Sequence, residues 1–213
     1  MEYEVRFYYP SDMYDDLVDK LSNISDLQKG YRTYEKTMQF NHCDARYNFY
    51  SKEIDGRFRF RISSNDERNE AKLSWKRRLP TTTNSLVNKE EEVEVHILYD
   101  EVDSFLYLVE NVMHFTLVES YERYRTVFIN DDIEISVDEY PFGVALEIEN
   151  KSKDKNPEDV ILYYTNLLKL DINRAYRLSW DDKYAELCKK EGKKIIYHAH
   201  STEEDFRNSF LFS

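Results

Sequence analysis

In MEYEVRFYY at the N-terminus, charged and apolar residues alternate one by one, and six later stretches of the chain repeat the alternation. Side chains on an extended strand point to opposite faces in turn, so Glu2, Glu4 and Arg6 share one face and Tyr3, Val5 and Phe7 the other. RFRFRI sets Arg57, Arg59 and Arg61 against Phe58, Phe60 and Ile62, and AKLSWKRR sets Lys72, Ser74 and Lys76 against Leu73 and Trp75. KEEEVEVHI, at 89–97, reads as a strand with Glu90, Glu92 and Glu94 opposite Val93 and Val95. YERYRTVF offers Arg123 and Arg125. IEISVD offers Glu134, Ser136 and Asp138 opposite Ile133, Ile135 and Val137, and ALEIE offers Glu147 and Glu149 opposite Leu146 and Ile148. Segments near 36–43 and 46–51 give a weaker strand signal.

Between the strands the period changes. Tyr14, Leu17, Val18, Leu21 and Ile24 recur at helical spacing and predict a helix over Ser11 to Gln28, closed by Gly30. Val102, Phe105, Leu106, Val109, Val112 and Met113 predict a second over Asp100 to His114. A third starts at Asn156-Pro157-Glu158, a cap followed by proline in the first turn, with the stripe Val160, Ile161, Tyr164, Leu167 and Leu168. A short fourth runs from about Asp181 to Lys190. There is no internal repeat and no low-complexity tract.

One alternating strand is an ordinary half-buried strand, its charged face in water. Seven together are different, because each charged face is nearly pure in sign, whereas a solvated sheet face mixes Thr, Ser, Gln, Lys and Glu. The seven faces hold nine carboxylates, eight cations and two serines. Their apolar backs need cover, which the amphipathic helices supply, so Phe58, Phe60, Leu73 and Trp75 are expected beneath helices and the charges inside. The predicted fold is α+β: a closed eight-stranded antiparallel β-barrel with helices packed on the outside. One domain over 1–213 is expected, with tunnel strands over about 1–150 and C-terminal helices and tail over about 156–213.

Composition narrows the function. With 213 residues but only four glycines and four prolines, the chain shows no flexible linker. It has no apolar stretch long enough for a bilayer, and charges at positions 2, 4 and 6 stand where a signal peptide needs an apolar run. A soluble, cytoplasmic protein with no membrane partner is expected. The net charge of −12 makes long nucleic acid a poor partner. Cys43 and Cys188 form neither a disulfide framework nor a zinc pattern and read as packing residues.

A barrel of about eight strands encloses room for side chains or one small ligand, and lining it with charge is costly unless every ion is paired or bound. Clustered Arg and Lys match phosphoryl oxygens. Clustered Glu and Asp without His or Cys match a hard divalent cation such as Mg2+ or Mn2+. Together they describe a lumen for a metal-bound polyphosphate.

Glu2-Tyr3-Glu4-Val5-Arg6, the Arg strand at 57–61, the Lys strand at 72–76, the Glu strand at 90–94, Arg123-x-Arg125, Asp138 and Leu146-Glu147-Ile148-Glu149 resemble, in order, the motifs of the CYTH, or triphosphate tunnel metalloenzyme, superfamily. One departure is Arg6, where that family most often has lysine. The resemblance implies an eight-stranded tunnel, a divalent metal, and cleavage or cyclisation of a small-molecule triphosphate. On this reading Glu2, Glu4, Asp138, Glu147 and Glu149 are candidate metal ligands. Arg6, Arg57, Arg59, Lys72, Lys76, Arg123 and Arg125 hold the triphosphate, and Glu92, Glu94 or a metal ligand such as Glu4 orients the attacking water. Hydrolysis ranks first. The alternatives are an adenylyl cyclase of the class IV type, converting ATP to cyclic AMP and pyrophosphate, and a non-catalytic phosphate-metabolite binding module. No adenine-reading motif stands out, and the carboxylates would repel a polyanion held without metal. The group carried by the triphosphate and the oligomeric state are not encoded in any of these motifs.

Three further features are weaker. His198-Ala199-His200 reads as surface tail with no third ligand nearby, and Lys189, Lys190, Lys193 and Lys194 as a solvated helix end. Trp180-Asp181-Asp182-Lys183-Tyr184 falls where the family tends to place an aromatic-containing helix near the tunnel mouth, which implies a lid contact for Lys183.

Overall fold

The computed structural model describes residues 1–50, 55–80 and 87–196. In chain order the elements are β1 (Glu2–Tyr9), α1 (Tyr14–Ser22), β2 (Gln28–Asn41), β3 (Gly56–Ser64), β4 (Asn69–Arg78) and β5 (Asn88–Ile97). There follow α2 (Val102–Tyr107), β6 (Thr116–Ile129), β7 (Ile133–Tyr140), β8 (Gly143–Asn150), α3 (Pro157–Leu167) and α4 (Trp180–Glu191). The strands close into an antiparallel barrel in the ring order β1-β5-β4-β3-β2-β6-β7-β8. β1 closes it by serving two neighbours: Glu2–Glu4 pair with β5, and Glu4–Tyr9 pair with β8.

The apolar strand faces pack outward under helices, as their alternation requires. α1 and α3 cover the β1, β7 and β8 side, where Val5, Phe7, Ile133, Ile135, Leu146 and Ile148 meet Leu17, Leu21, Val160 and Ile161. On the opposite side Phe60 stacks on Phe105 of α2, their ring centroids 5.2 Å apart. Helix ends follow local chemistry. Asn156 accepts from the backbone N–H groups of Glu158 and Asp159 ahead of Pro157. Ser179 and Asp182 form a reciprocal capping box at the start of α4, which ends where Gly192 turns left-handed at φ 65.

Several expectations are corrected. α1 stops at Ser22, because Ile24 and Leu27 continue the apolar spacing only through single turns, and β2 has already begun at Gln28. Gly30 therefore lies inside a strand, beside a register shift between Lys29 and Arg32. β2 is a full 14-residue strand, and its first five residues are exposed, which dilutes the alternation. Residues 45–47 form a 3-10 turn capped by Asp44, and of the expected 46–51 strand the described residues contribute only an isolated bridge from Tyr50 to Asp55, residue 51 lying outside them. The second helix changes pitch, with a 3-10 turn at Tyr99–Glu101 before α2 and a π turn at Leu108–Val112 after it. Trp75 packs against Phe49 rather than under a helix, and its ring sits 2.3 Å from where a Cβ on Gly56 would lie, so only glycine fits there. Val93 and Val95 are 58% and 53% exposed, with no helix across β5 among the described residues. Cys188 is buried, but Cys43 is exposed in the loop after β2. No helix among the described residues is long and apolar enough to cross a membrane.

Candidate functional site

Ring order turns strand-by-strand purity of sign into two walls. β7, β8, β1 and β5 are consecutive, and they point Glu134, Asp138, Glu147, Glu149, Glu2, Glu4, Glu90, Glu92 and Glu94 inward. β4, β3, β2 and β6 form the facing half, with Lys72, Lys76, Arg57, Arg59, Arg61, Arg123 and Arg125. Each wall also holds residues of the other sign, Arg6 and Glu35 among them. Arg6, on the acidic wall, lies 3.1 Å from Glu90 and 3.3 Å from Glu147 and also pairs with Glu4. Glu35, on the basic wall, lies 2.6 Å from Arg123 and 3.7 Å from Arg61.

The walls enclose a cavity of about 380 Å³ lined by ten carboxylates and ten cations. Glu2, Glu4, Arg6, Arg57, Arg59, Lys72, Lys76, Glu92, Glu94, Arg123, Arg125, Glu147 and Glu149 all line it. Asp138 does not: it is fully buried behind the lining, and both its oxygens accept from arginines, Oδ1 from Arg125 at 2.6 Å and Oδ2 from Arg123 at 2.7 Å and Arg125 at 2.6 Å. Burial pushes the Asp138 carboxyl upward, but guanidinium groups can only donate and so favour its ionised form. Glu147 is similarly engaged, accepting from the Trp180 indole at 2.7 Å and Arg125 at 2.8 Å. Against the upward push of burial, Arg6 and Arg125 hold Glu147 well below the usual carboxylate range. His198 and His200 lie outside the described residues, and Lys183 packs over Tyr8 and Tyr176 outside the tunnel lining.

The remaining lining is less tightly bound. Lys76 faces four carboxylates, Glu2 at 2.7 Å, Glu90 at 2.9 Å, Glu92 at 3.8 Å and Glu4 at 3.9 Å. Lys151 lies 2.6 Å from Glu149 and 3.4 Å from Glu134. Burial and then the neighbouring Glu2 push Glu149 up to about 7, and burial with a hydrogen bond to Glu92 raises Glu2. Carboxylates are thus in excess at this end of the tunnel. On the basic wall Arg59 comes no nearer to a carboxylate than 3.5 Å from Glu92, and its buried Nε has no hydrogen-bond partner among the described residues.

The far end is plugged. Tyr8, Tyr121, Tyr140, Phe142 and Ala145 form an aromatic cluster capped by Trp180, Tyr184 and Leu187 of α4. There Glu119 and Asp181 share the Gln39 amide, whose Nε2 lies 2.5 Å from Glu119 and 3.5 Å from Asp181, with Arg57 3.8 Å from Asp181. Burial and then Asp181 push Glu119 up to about 8. A carboxyl whose folded value is raised contributes stability below its unfolded value and loses it as pH rises through the folded one. Glu119→Gln is therefore expected to flatten a fall in melting temperature that the parent should show between about pH 5 and pH 8. An unchanged profile in a thermal-melt series would show that Glu119 does not contribute to stability in this way.

Sequence reasoning missed Glu35, Tyr121 and Asp181 in the lining and left Glu134 without a role. The signal for Glu35 was present: Thr33, Glu35, Thr37 and Gln39 alternate with Tyr34, Lys36, Met38 and Phe40. Its inward face is mostly uncharged and Lys36 is outward, so the contrast of sign used elsewhere is absent.

No family model and no curated protein matches the sequence. Solved structures do match the fold. The PH1819 protein of Pyrococcus horikoshii OT3 is 22% identical, with a TM-score of 0.61 over 90% of this chain and 99% of that one. HpAC1 of Hippeastrum, a candidate adenylyl cyclase whose structure is described as revealing a dominant triphosphatase activity, is 21% identical, with a TM-score of 0.57 over 92% and 98%. A chain of the Schizosaccharomyces pombe Mediator head module is 12% identical, with a TM-score of 0.57 over 79% and 95%. Such identities establish a shared fold, and a fold by itself assigns no activity. The closed ring of eight antiparallel strands around a charge-lined tunnel is thus a fold this chain shares with those solved structures.

Proposed function

We propose that the protein hydrolyses a phosphoanhydride bond of a small triphosphate inside the tunnel, with Mg2+ or Mn2+ as cofactor. The observation that carries this is the facing pair of walls, whose lining of ten carboxylates and ten cations surrounds about 380 Å³. A tunnel that balances its own charge gains little by admitting a bare polyanion, whereas a polyanion that brings divalent cations lets each wall keep a partner. The donors on the acidic wall are all carboxylate oxygens, which suits a hard cation.

Among the described residues no three such side chains form a ready cage, because the Lys76 and Lys151 ammonium groups sit among them. Those flexible cations are replaceable, and the raised Glu149 and Glu2 mark where positive charge is short. Glu2, Glu4, Glu134 and Glu149 would hold the ion. When bound, it would neutralise charge on the phosphate oxygens. Asp138 and Glu147, expected as ligands, act in this reading as anchors that fix Arg123 and Arg125 as preset donors. Arg57, Arg59, Arg61 and Lys72 hold the phosphates. Glu92 orients the attacking water: against the upward push of burial, its hydrogen bond with Glu2 and the cations Lys76 and Arg59 keep it ionised. Glu94, more open to solvent and paired with Lys72 at 3.2 Å, is the second candidate for that task.

The hydrolase reading stands ahead of the cyclase because HpAC1, which shares the fold, is described by its triphosphatase activity. The test is a phosphate-release panel on inorganic triphosphate, thiamine triphosphate and ATP with Mg2+, Mn2+ or chelator, with chromatography for cyclic AMP. Metal-dependent phosphate release from at least one substrate is expected. Because a proton on Glu149 competes with the ion, metal affinity should rise up to about tenfold per pH unit below about pH 7. Full turnover in excess chelator, or release from none of the three, overturns the reading.

A further inference from the structure

A second cavity, of about 440 Å³, lies outside the tunnel between the end of β1, the segment joining α3 to α4, and α4 itself. Lys169, Arg174 and Lys183 line it, with Asp171 as the one acidic side chain among its described residues, and Lys183 is also paired with Glu186 at 3.3 Å. The Asp171 carboxylate is turned to its own loop, where Oδ1 accepts from the Asn173 backbone and side-chain N–H groups at 3.0 Å each. Among the described residues neither Lys169 nor Arg174 has an ion-pair partner. In a chain of net charge −12, a concave site with three cations to one occupied carboxylate reverses the prevailing field. Lys169 also takes the left-handed position after α3, at φ 56, where glycine is the usual choice.

We propose that this cavity binds a phosphate dianion, free or as a phosphomonoester, at a site separate from the tunnel. A guanidinium fork and two ammonium groups, two of the three on the segment joining α3 to α4 and one on α4, suit a tetrahedral oxyanion better than a flat carboxylate, which one arginine alone would satisfy. Tyr176 lines the same cavity, and Lys183 lies 4.9 Å from its ring centroid. This tyrosine is tied to the tunnel twice. Its backbone N–H donates to the Arg6 carbonyl at 2.7 Å, and its ring stacks on Trp180, centroids 5.6 Å apart, whose indole N–H holds Glu147. An occupant is therefore reported at two tunnel residues, and the site stands whether or not the tunnel hydrolyses anything.

The test is calorimetric titration with inorganic phosphate and, separately, phenyl phosphate, on the parent, on Lys169→Ala/Arg174→Ala and on the tunnel variant Arg59→Ala. Both substituted residues in the first variant are exposed, so thermal melts should match the parent. Binding with Kd of about 1 mM or tighter is expected in the parent and in Arg59→Ala, and a loss of at least about tenfold in the double variant. Tighter binding of phenyl phosphate identifies a phosphomonoester as occupant, and tighter inorganic phosphate a free one; either supports the site. Binding that survives in the double variant, that is lost only in Arg59→Ala, or that is absent from the parent overturns it.

Discussion

Asp138→Ala is expected to cost about 3–5 kcal/mol of stability, the range for removing one partner from a buried ion pair. For a chain of this length that lowers the melting temperature by roughly 6–20 °C. The cause is what stays behind. Arg123 and Arg125 converge on Asp138 with three hydrogen bonds of 2.6–2.7 Å, and its removal leaves two buried guanidinium groups facing each other. Glu35 still binds Arg123 and Glu147 still binds Arg125, which places the loss toward the lower half of the range. Glu91→Gln is the control. It breaks the Arg77–Glu91 pair, both side chains about two-fifths exposed, and should stay within about 0.5 kcal/mol. Denaturant or thermal unfolding of both variants decides the matter. A parent-like melt for Asp138→Ala would mean that Asp138 does not anchor the two arginines.

The same residue shows how far the sequence could be read. Asp138 and Glu149 sit in identical alternating patterns, which predict inward faces for both, and both faces are inward. What separates them is register. Asp138 lies directly across from Arg125 on β6, while Glu149 lies across from Glu134 on β7 and Glu4 on β1. One carboxylate thereby acquires arginine partners and the other acquires like charges. Alternation within a strand reveals its faces but not its neighbours, and neighbours decide whether a buried carboxylate is an anchor or an open donor.

Ring order was hidden for the same reason. Purity of sign was visible in seven strands, yet the acidic ones come from both ends of the barrel-forming segment, and only the closure of β1 between β5 and β8 joins them into one wall. The basic wall needed β2 between β3 and β6, where Glu35 ties Arg61 to Arg123. That strand was the least legible, since Gly30 reads as a helix stop when placed after an amphipathic run, and Thr37 and Gln39 carry no charge to mark their face. α3 and α4 were clear by contrast, because caps such as Asn156 and Ser179 act within a few residues of chain and need no tertiary partner.

Arg59→Ala separates ligand binding from stability in the opposite sense to Asp138→Ala. The Arg59 side chain is 13% exposed, and among the described residues its nearest carboxylate oxygen is 3.5 Å away on Glu92 and its buried Nε is unpartnered. A buried cation matched only by Glu92 and a hydrogen bond to Tyr121 among the described residues adds little to the resting fold and keeps its remaining donors for an incoming anion. Under the proposed function, its loss should weaken triphosphate binding by about 1.5–3 kcal/mol, roughly ten- to a hundredfold, in both KM and direct titration. The melting temperature should hold or rise, since Glu92 keeps Lys76 as a counterion. Arg59→Lys restores the charge without the planar fork and should recover only part of the affinity. Calorimetry with inorganic triphosphate reads binding even if turnover is lost, and a melt on the same samples reads stability. Parent-like affinity in Arg59→Ala would show that the basic wall does not hold the phosphates, while a steep loss of stability would make Arg59 a structural ion like Arg123.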